Sequence, residues 1–229
     1  MKTIGMIGGM SWESSLEYYR IINSVIKKRL GGYHSAKIIM YSVDFAEIEA
    51  LQSAGKWDES GWMLADAAKK LERGGADFMI LCTNTMHKLK DDMERAVSMP
   101  MLHIADAASA KILSLGIKRV GLLGTRFTME QDFYKDRLTE GGLSVIILEK
   151  EDRDTVHNVI YDELVKGEIK PESREKYKQI IARMAEKGAE GIILGCTEIG
   201  LLIKQQDCPT PIFDTTQIHA EAAAEYALK

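Results

Sequence analysis

The chain of 229 residues fits one large domain or two small ones, at about 150 residues per domain. Hydrophobic residues at 45% and charged residues at 28% exclude a disordered chain, and a formal charge of −4 with a pI near 5.8 supplies no basic stripe for nucleic acid. Cys82, Cys196 and Cys208 form no CxxC pair, and no leader or apolar run of ~20 residues is present, so the expectation is a reducing, cytoplasmic setting with no zinc site and no membrane.

Short apolar runs alternate with longer segments of helical period, which predicts parallel sheets covered by helices. In chain order the strands are Thr3 to Gly9, Lys37 to Val43, Asp77 to Thr83, Arg119 to Thr125, Leu143 to Leu148 and Gly191 to Cys196. The helices run from Trp12 to about Arg29, about Trp57 to Arg73, Thr85 to about Ala96, Ala105 to Leu115 and Met129 to Glu140. Three more follow, from about Thr155 to Lys166, Glu172 to Lys187 and about Gln217 to Leu228, and Met101 to Ile104 is a short apolar run.

The chain carries an internal echo. IGMIGG at Ile4 to Gly9 resembles VGLLGT at Val120 to Thr125, and FMILCTNT at Phe78 to Thr85 resembles GIILGCTE at Gly191 to Glu198. The two repeats keep the same order and nearly the same offset. This predicts an α/β fold of two similar lobes, each a mainly parallel sheet flanked by helices, related by a pseudo-twofold, with the active site in the cleft between them. The lobes would span residues 1–104 and 105–212, with a C-terminal helix at about 213–229 packing back on the first.

Several motifs carry no chemistry of their own. GMIGGMSWES is neither GxGxxG nor a P-loop, and its glycines make a tight turn into a helix whose N-terminus suits a ligand carboxylate. The five histidines are scattered; His87, four residues beyond Thr83, is placed either to line a site or to cap its own helix. Lys27-Lys28-Arg29 is a basic helix end that complements the C-terminal dipole.

Two strand ends remain, MILCTNTMH and IILGCTEIG, where apolar strands pass into helices through small hydroxyl, amide and thiol side chains. At the carboxyl ends of parallel strands such residues face the crevice where ligands bind. A thiol at a helix start has its thiolate favoured by the dipole, and Cys196 meets that description. The alternative is an inert buried cysteine.

These segments, with GGMSWES, VDF at Val43 to Phe45 and IYDELVKG at Ile160 to Gly167, resemble the aspartate/glutamate racemase family. That family pairs a Cys-Asn-Thr signature with a Gly-Cys-Thr-Glu signature, and the second is unchanged here. The first departs, because Thr83 stands directly before Asn84 and the cysteine is Cys82. Aligning the repeats sets Thr83 against Cys196, and strand alternation then turns Cys82 toward the layer packing unless a bulge reverses it. A Thr/Cys pair resembles the L-aspartate/glutamate-specific subgroup.

The resemblance implies a racemase for acidic amino acids that uses no cofactor and no metal, with a homodimer as its assembly. Cys196 would be the thiolate base and Thr83 the group on the opposite face. Asn84, Thr85 and Thr197 suit the α-carboxylate, and Lys166 the side-chain carboxylate. Ala46 and Glu47 stand where aspartate-specific members have an Arg, so Gln52 takes over by hydrogen bonding and the substrate is aspartate or glutamate. Met10 and Thr125 are backbone or hydroxyl candidates at the glycine-rich turns, and Glu198 either orients the ammonium group, assists Cys196 or complements its helix dipole. Two other readings stay open: a one-cysteine decarboxylase or cis–trans isomerase of the same superfamily, and a non-catalytic binder of acidic amino acids.

Overall fold

Apolar residues that fill both faces of a strand need helices on both sides. The computed structural model, which describes residues 1–229, places such strands at the centre of two units, Met1–Ile104 with His219–Lys229, and Ala105–Ile218.

The first unit holds a parallel sheet in the order β2-β1-β3, from β1 (Ile4–Gly8), β2 (Ile38–Ser42) and β3 (Phe78–Leu81). Alternation divides its side chains cleanly. Ile4, Met6, Phe78, Ile80 and Cys82 pack with α1 (Trp12–Leu30) and the alanines of α11 (Thr215–Leu228). Ile7, Met79 and Leu81 pack on the other face with α2 (Phe45–Ser53), α3 (Trp57–Arg73) and the segment that ends in α4 (Lys90–Ala96). A 3-10 turn, Thr85–Leu89, joins β3 to α4 where the sequence predicts one continuous helix.

The second unit follows α5 (Ile104–Leu113) with a parallel sheet in the order β5-β4-β6-β7, from β4 (Arg119–Gly124), β5 (Ser144–Ile146), β6 (Gly191–Gly195) and β7 (Ile212–Asp214). Leu123, Ile192, Leu194 and Cys196 enter one cluster with α8 (Lys150–Asp162) and α9 (Pro171–Glu186). The predicted helix at 129–140 is two helices, α6 (Arg126–Glu130) and α7 (Asp132–Glu140), because Gln131 is extended between them. The predicted helix from Thr155 begins earlier, at Lys150, and ends at Asp162 before a 3-10 turn at Leu164–Lys166. A four-residue α10 (Ile199–Leu202) follows β6.

The internal echo is a repeat of strand register. Ile4 sits opposite Phe78 and Ile38 in the first sheet, and Val120 sits opposite Gly191 and Val145 in the second. Gly5 and Gly121 hold the same place in the two ladders. A Cβ on Gly5 would lie 3.2 Å from Leu71 of α3, and one on Gly121 would lie 2.5 Å from Met184 of α9. Their missing side chains let those helices seat on the sheets.

Three histidines lie buried together in the first unit, with ring centroids 4.4 Å apart for His87 and His103 and 5.9 Å apart for His87 and His219. Burial, followed by the neighbouring His103 and His219, holds His87 well below the usual histidine value. A buried histidine of lowered pKa stays neutral while the unfolded chain takes up its proton. Its contribution to stability is therefore complete above about pH 6.5 and falls as the pH drops below that value, by up to about 1.4 kcal/mol per pH unit for each proton bound by the unfolded chain alone. Urea unfolding at pH 8, 6.5 and 5 should show little change over the first interval and a clear loss over the second, before the carboxylates titrate.

Candidate active site

Thr83 and Cys196 occupy equivalent places in the two units, each two residues beyond the last strand residue that shares its alternation. Thr83 follows Met79 and Leu81, while Cys196 follows Ile192 and Leu194. Cys82 continues the other row, after Phe78 and Ile80, and lies fully buried in the α1 layer. Burial pushes its thiol far above the ordinary range, so Cys82 is an inert core residue, whereas Thr83 is half-buried. Position 195, equivalent to Cys82, is Gly because a Cβ there would lie 2.9 Å from the Leu123 carbonyl.

In the first unit, β3 delivers Thr83, Asn84 and Thr85 in succession, with Asn84 and Thr85 buried. Gln52 is buried on α2 and its Nε2 contacts the Met86 sulfur at 2.7 Å. A thioether is a weak acceptor, so that amide is readily released to an oxygen. At the end of β1, Gly9 adopts φ +96°, and a Cβ there would collide with the Val43 carbonyl at 2.2 Å. The Gly9 amide donates to Ser15 Oγ at 2.8 Å, and the Ser14 amide donates to Ser11 Oγ at 3.3 Å. The turn thus satisfies these donors with its own serines. Met10 buries its side chain in the α2–α4 cluster, which leaves only its backbone for a ligand.

In the second unit, Cys196, Thr197 and Glu198 leave β6 together. Cys196 Sγ donates to Glu198 Oε2 at 3.0 Å, and Thr197 Oγ1 donates to the same oxygen at 2.7 Å. Cys196 and Glu198 are both buried. The thiol is not a resting thiolate, contrary to the sequence expectation. Burial first, and the Glu198 carboxylate second, push its pKa well above the ordinary thiol value. The amides of Glu198 and Ile199 act in the opposite direction and are outweighed, because α10 has four residues and its dipole is small. The resting pair is therefore a thiol hydrogen-bonded to a carboxylate.

Thr125 caps α6, accepting from the Thr128 amide at 3.3 Å and sharing a 3.2 Å hydroxyl contact with Thr128. Lys166 is exposed on the 3-10 turn that packs against α10, just before Gly167. The chain thus groups Thr83, Asn84, Thr85, Gln52 and Met10 in one unit, and Cys196, Thr197, Glu198, Thr125 and Lys166 in the other. His87 touches the Thr83 backbone, with Nδ1 2.8 Å from its carbonyl oxygen. Its four-residue spacing from Thr83 in the sequence carried that contact. Cys208 is buried in a loop, 3.6 Å from the Thr210 carbonyl, and takes no part in either group. No helix is long and apolar enough to cross a membrane.

The model of the Asp/Glu/hydantoin racemase family matches residues 7–223. The chain is 53% identical, with a TM-score of 0.94, to a crystal structure of a candidate Asp/Glu racemase from Yersinia pestis, each chain covered in full. It is 38% identical, with a TM-score of 0.87 and full coverage of both chains, to an aspartate racemase homologue from Pyrococcus horikoshii. It is also 26% identical over 165 residues, 72% of this chain and 71% of the other, to the broad specificity amino-acid racemase RacX of Bacillus subtilis.

Proposed function

Since the chain belongs to the Asp/Glu/hydantoin racemase family, we propose that it racemises aspartate and glutamate without pyridoxal phosphate, favours the L enantiomers, and uses Cys196 and Thr83 as its two proton-transfer groups. The observation that carries this reading is the Cys196–Glu198 contact. A buried thiol that donates to a carboxylate has a proton acceptor in place. Transfer to Glu198 leaves a thiolate in a desolvated pocket, the stronger for its missing water.

The thiolate removes the substrate α-proton, the Cα–H bond electrons pass into the carboxylate as enediolate character, and Cys196 becomes a thiol again. Asn84, Thr85 and Thr197 stabilise that charge through hydrogen bonds. Thr83 returns a proton to the opposite face, directly or through water, and its alkoxide regains one from solvent while Glu198 releases one. Lys166 pairs with the side-chain carboxylate, and Gln52 hydrogen-bonds it where a second cation would demand aspartate alone. The protein acts as a homodimer in the cytoplasm on this reading.

An aliphatic hydroxyl is a poor proton acceptor, so the two directions are unequal. L-Aspartate offers its α-hydrogen to the thiolate, whereas D-aspartate offers it to Thr83. Proton NMR of L-aspartate and of L-glutamate in D2O, without added cofactor, tests this directly. The expected result is loss of the α-proton signal followed by the D enantiomer in chiral detection. Retention of the signal, with release of CO2 from a malonate or conversion of maleate, would replace the racemase reading with a one-cysteine decarboxylase or isomerase. Saturable binding without any reaction would leave a binding protein.

A further inference from the structure

Beyond the last sheet hydrogen bond of β3, from the Cys82 amide to the Ile7 carbonyl, the chain has no strand partner to fix it. Thr83 lies one residue further. Its surroundings show what replaces the sheet. Ser14 Oγ donates to the Cys82 carbonyl at 3.1 Å, and the His87 amide donates to the Asn84 carbonyl at 3.1 Å. Between them, the Thr83 carbonyl lies 2.8 Å from His87 Nδ1.

The tautomer of His87 follows from its two partners. The Ile104 amide points at Nε2 from 3.3 Å, and an amide only donates, so Nε2 carries the lone pair. The proton is then on Nδ1, which donates to the Thr83 carbonyl. The ring is held from the side as well. His219 donates from Nε2 to the Leu102 carbonyl at 2.8 Å, and its Nδ1 lies 2.9 Å from the Tyr18 hydroxyl, which holds a second ring in place beside the first. One imidazole therefore bridges the turn after β3 to the start of α5, as donor at one end and acceptor at the other. Lys and Arg have no acceptor for such a bridge.

The second unit lacks this device. Position 200, the equivalent of His87 in the repeat, is Gly, and the Cys196 carbonyl is bonded by the Ile199 backbone amide at 3.2 Å. Cys196 instead has a carboxylate on its reacting atom. The two halves serve their proton-transfer groups differently, one chemically and one by placement.

We propose that His87 is a positioning residue for Thr83: its neutral ring ties the Thr83 carbonyl to the Ile104 amide and so sets the direction of the Thr83 Cα–Cβ bond. The inference rests on Thr83 being the group that reprotonates the substrate.

Two rates separate it from a structural role. Starting from L-aspartate in D2O, loss of the α-proton signal reports Cys196, and D-aspartate formed per exchange event reports Thr83. For His87→Leu, exchange should stay within about twofold of the unsubstituted enzyme while D-aspartate per exchange falls tenfold or more. His87→Gln, which can still donate and accept, should recover a large part of that ratio, and His87→Phe, which keeps a ring but removes both polar contacts, takes the place of the Leu variant if that one does not fold. If the unsubstituted enzyme makes too little D product to measure, the same ratio is read in a Thr83→Cys background, where the backbone tie is unchanged. An unaltered ratio, or exchange and D product falling together, would overturn the role of His87. Absence of α-proton exchange in the unsubstituted enzyme would instead overturn the Cys196 reading.

Discussion

Cys196→Ser is expected to lower α-proton exchange from L-aspartate by about 10³-fold or more, the upper part of what a positioned base contributes. Serine is close to cysteine in size, and its hydroxyl can still donate to Glu198 as the thiol does at 3.0 Å. No buried carboxylate is left without a partner, so the fold should survive and the melting temperature should change little. What is lost is acidity, because Glu198 can take a proton from a thiol far more readily than from an aliphatic hydroxyl. The same reasoning fixes the pH dependence of the unsubstituted enzyme. While the pair keeps its one proton, transfer from sulfur to Glu198 changes no net charge, so exchange should vary little near neutral pH and climb only above the ordinary thiol value of about 8.5, where the pair raised by burial and by Glu198 begins to lose that proton. Exchange measured by NMR between pH 6.5 and 9.5 checks the slope, and undiminished exchange in Cys196→Ser would remove the thiol from the reaction.

That thiol also marks where sequence reading stops. The central strands were legible because β1, β3 and β6 are buried along their whole length and read as unbroken apolar runs. The helix at Trp57–Arg73 was legible in the sequence, since its buried positions recur at helical spacing. By contrast, α2 carries only Ile48 and Gln52 inward, too few for a period, although Asp44 caps it by accepting from the Ala46 amide at 3.0 Å. The first turn of α8 is charged and exposes no apolar stripe, because its buried residues begin at Val156. β7 has three residues after Pro211, below the length at which alternation shows.

The candidate site divides the same way. The positions of Thr83 and Cys196 followed from the repeat, because the register that pairs Ile4 with Phe78 recurs as Val120 with Gly191. The protonation state of Cys196 did not follow, since it depends on the carboxylate two residues on folding back to the sulfur and on apolar residues distant in sequence. His87, His103 and His219 were scattered singly along the chain, and only the packing of α1, α11 and the turn after β3 brings them together.

Thr83→Cys is the substitution expected to raise an activity. If the asymmetry between enantiomers arises from a hydroxyl where a thiol would serve, then a thiol at 83 should increase α-proton exchange from D-aspartate by about 10²-fold, the lower part of the range for a positioned base. Exchange from L-aspartate, begun by Cys196, should change by less than about threefold. The exchange is tolerable for the fold, because Thr83 is half-buried, lies outside β3 and loses only a methyl and a hydroxyl for a thiol of similar volume. Cys82 does not confuse the outcome, since it is enclosed in the α1 layer with its thiol held protonated by burial. Position 83 has no counterpart of Glu198: Thr85 stands at the equivalent place in the repeat. The new thiol should therefore remain the weaker base, with D-aspartate exchange still below L-aspartate exchange. Exchange measured from each enantiomer separately checks this, and no gain from D-aspartate in Thr83→Cys would mean that residue 83 does not address the reacting carbon.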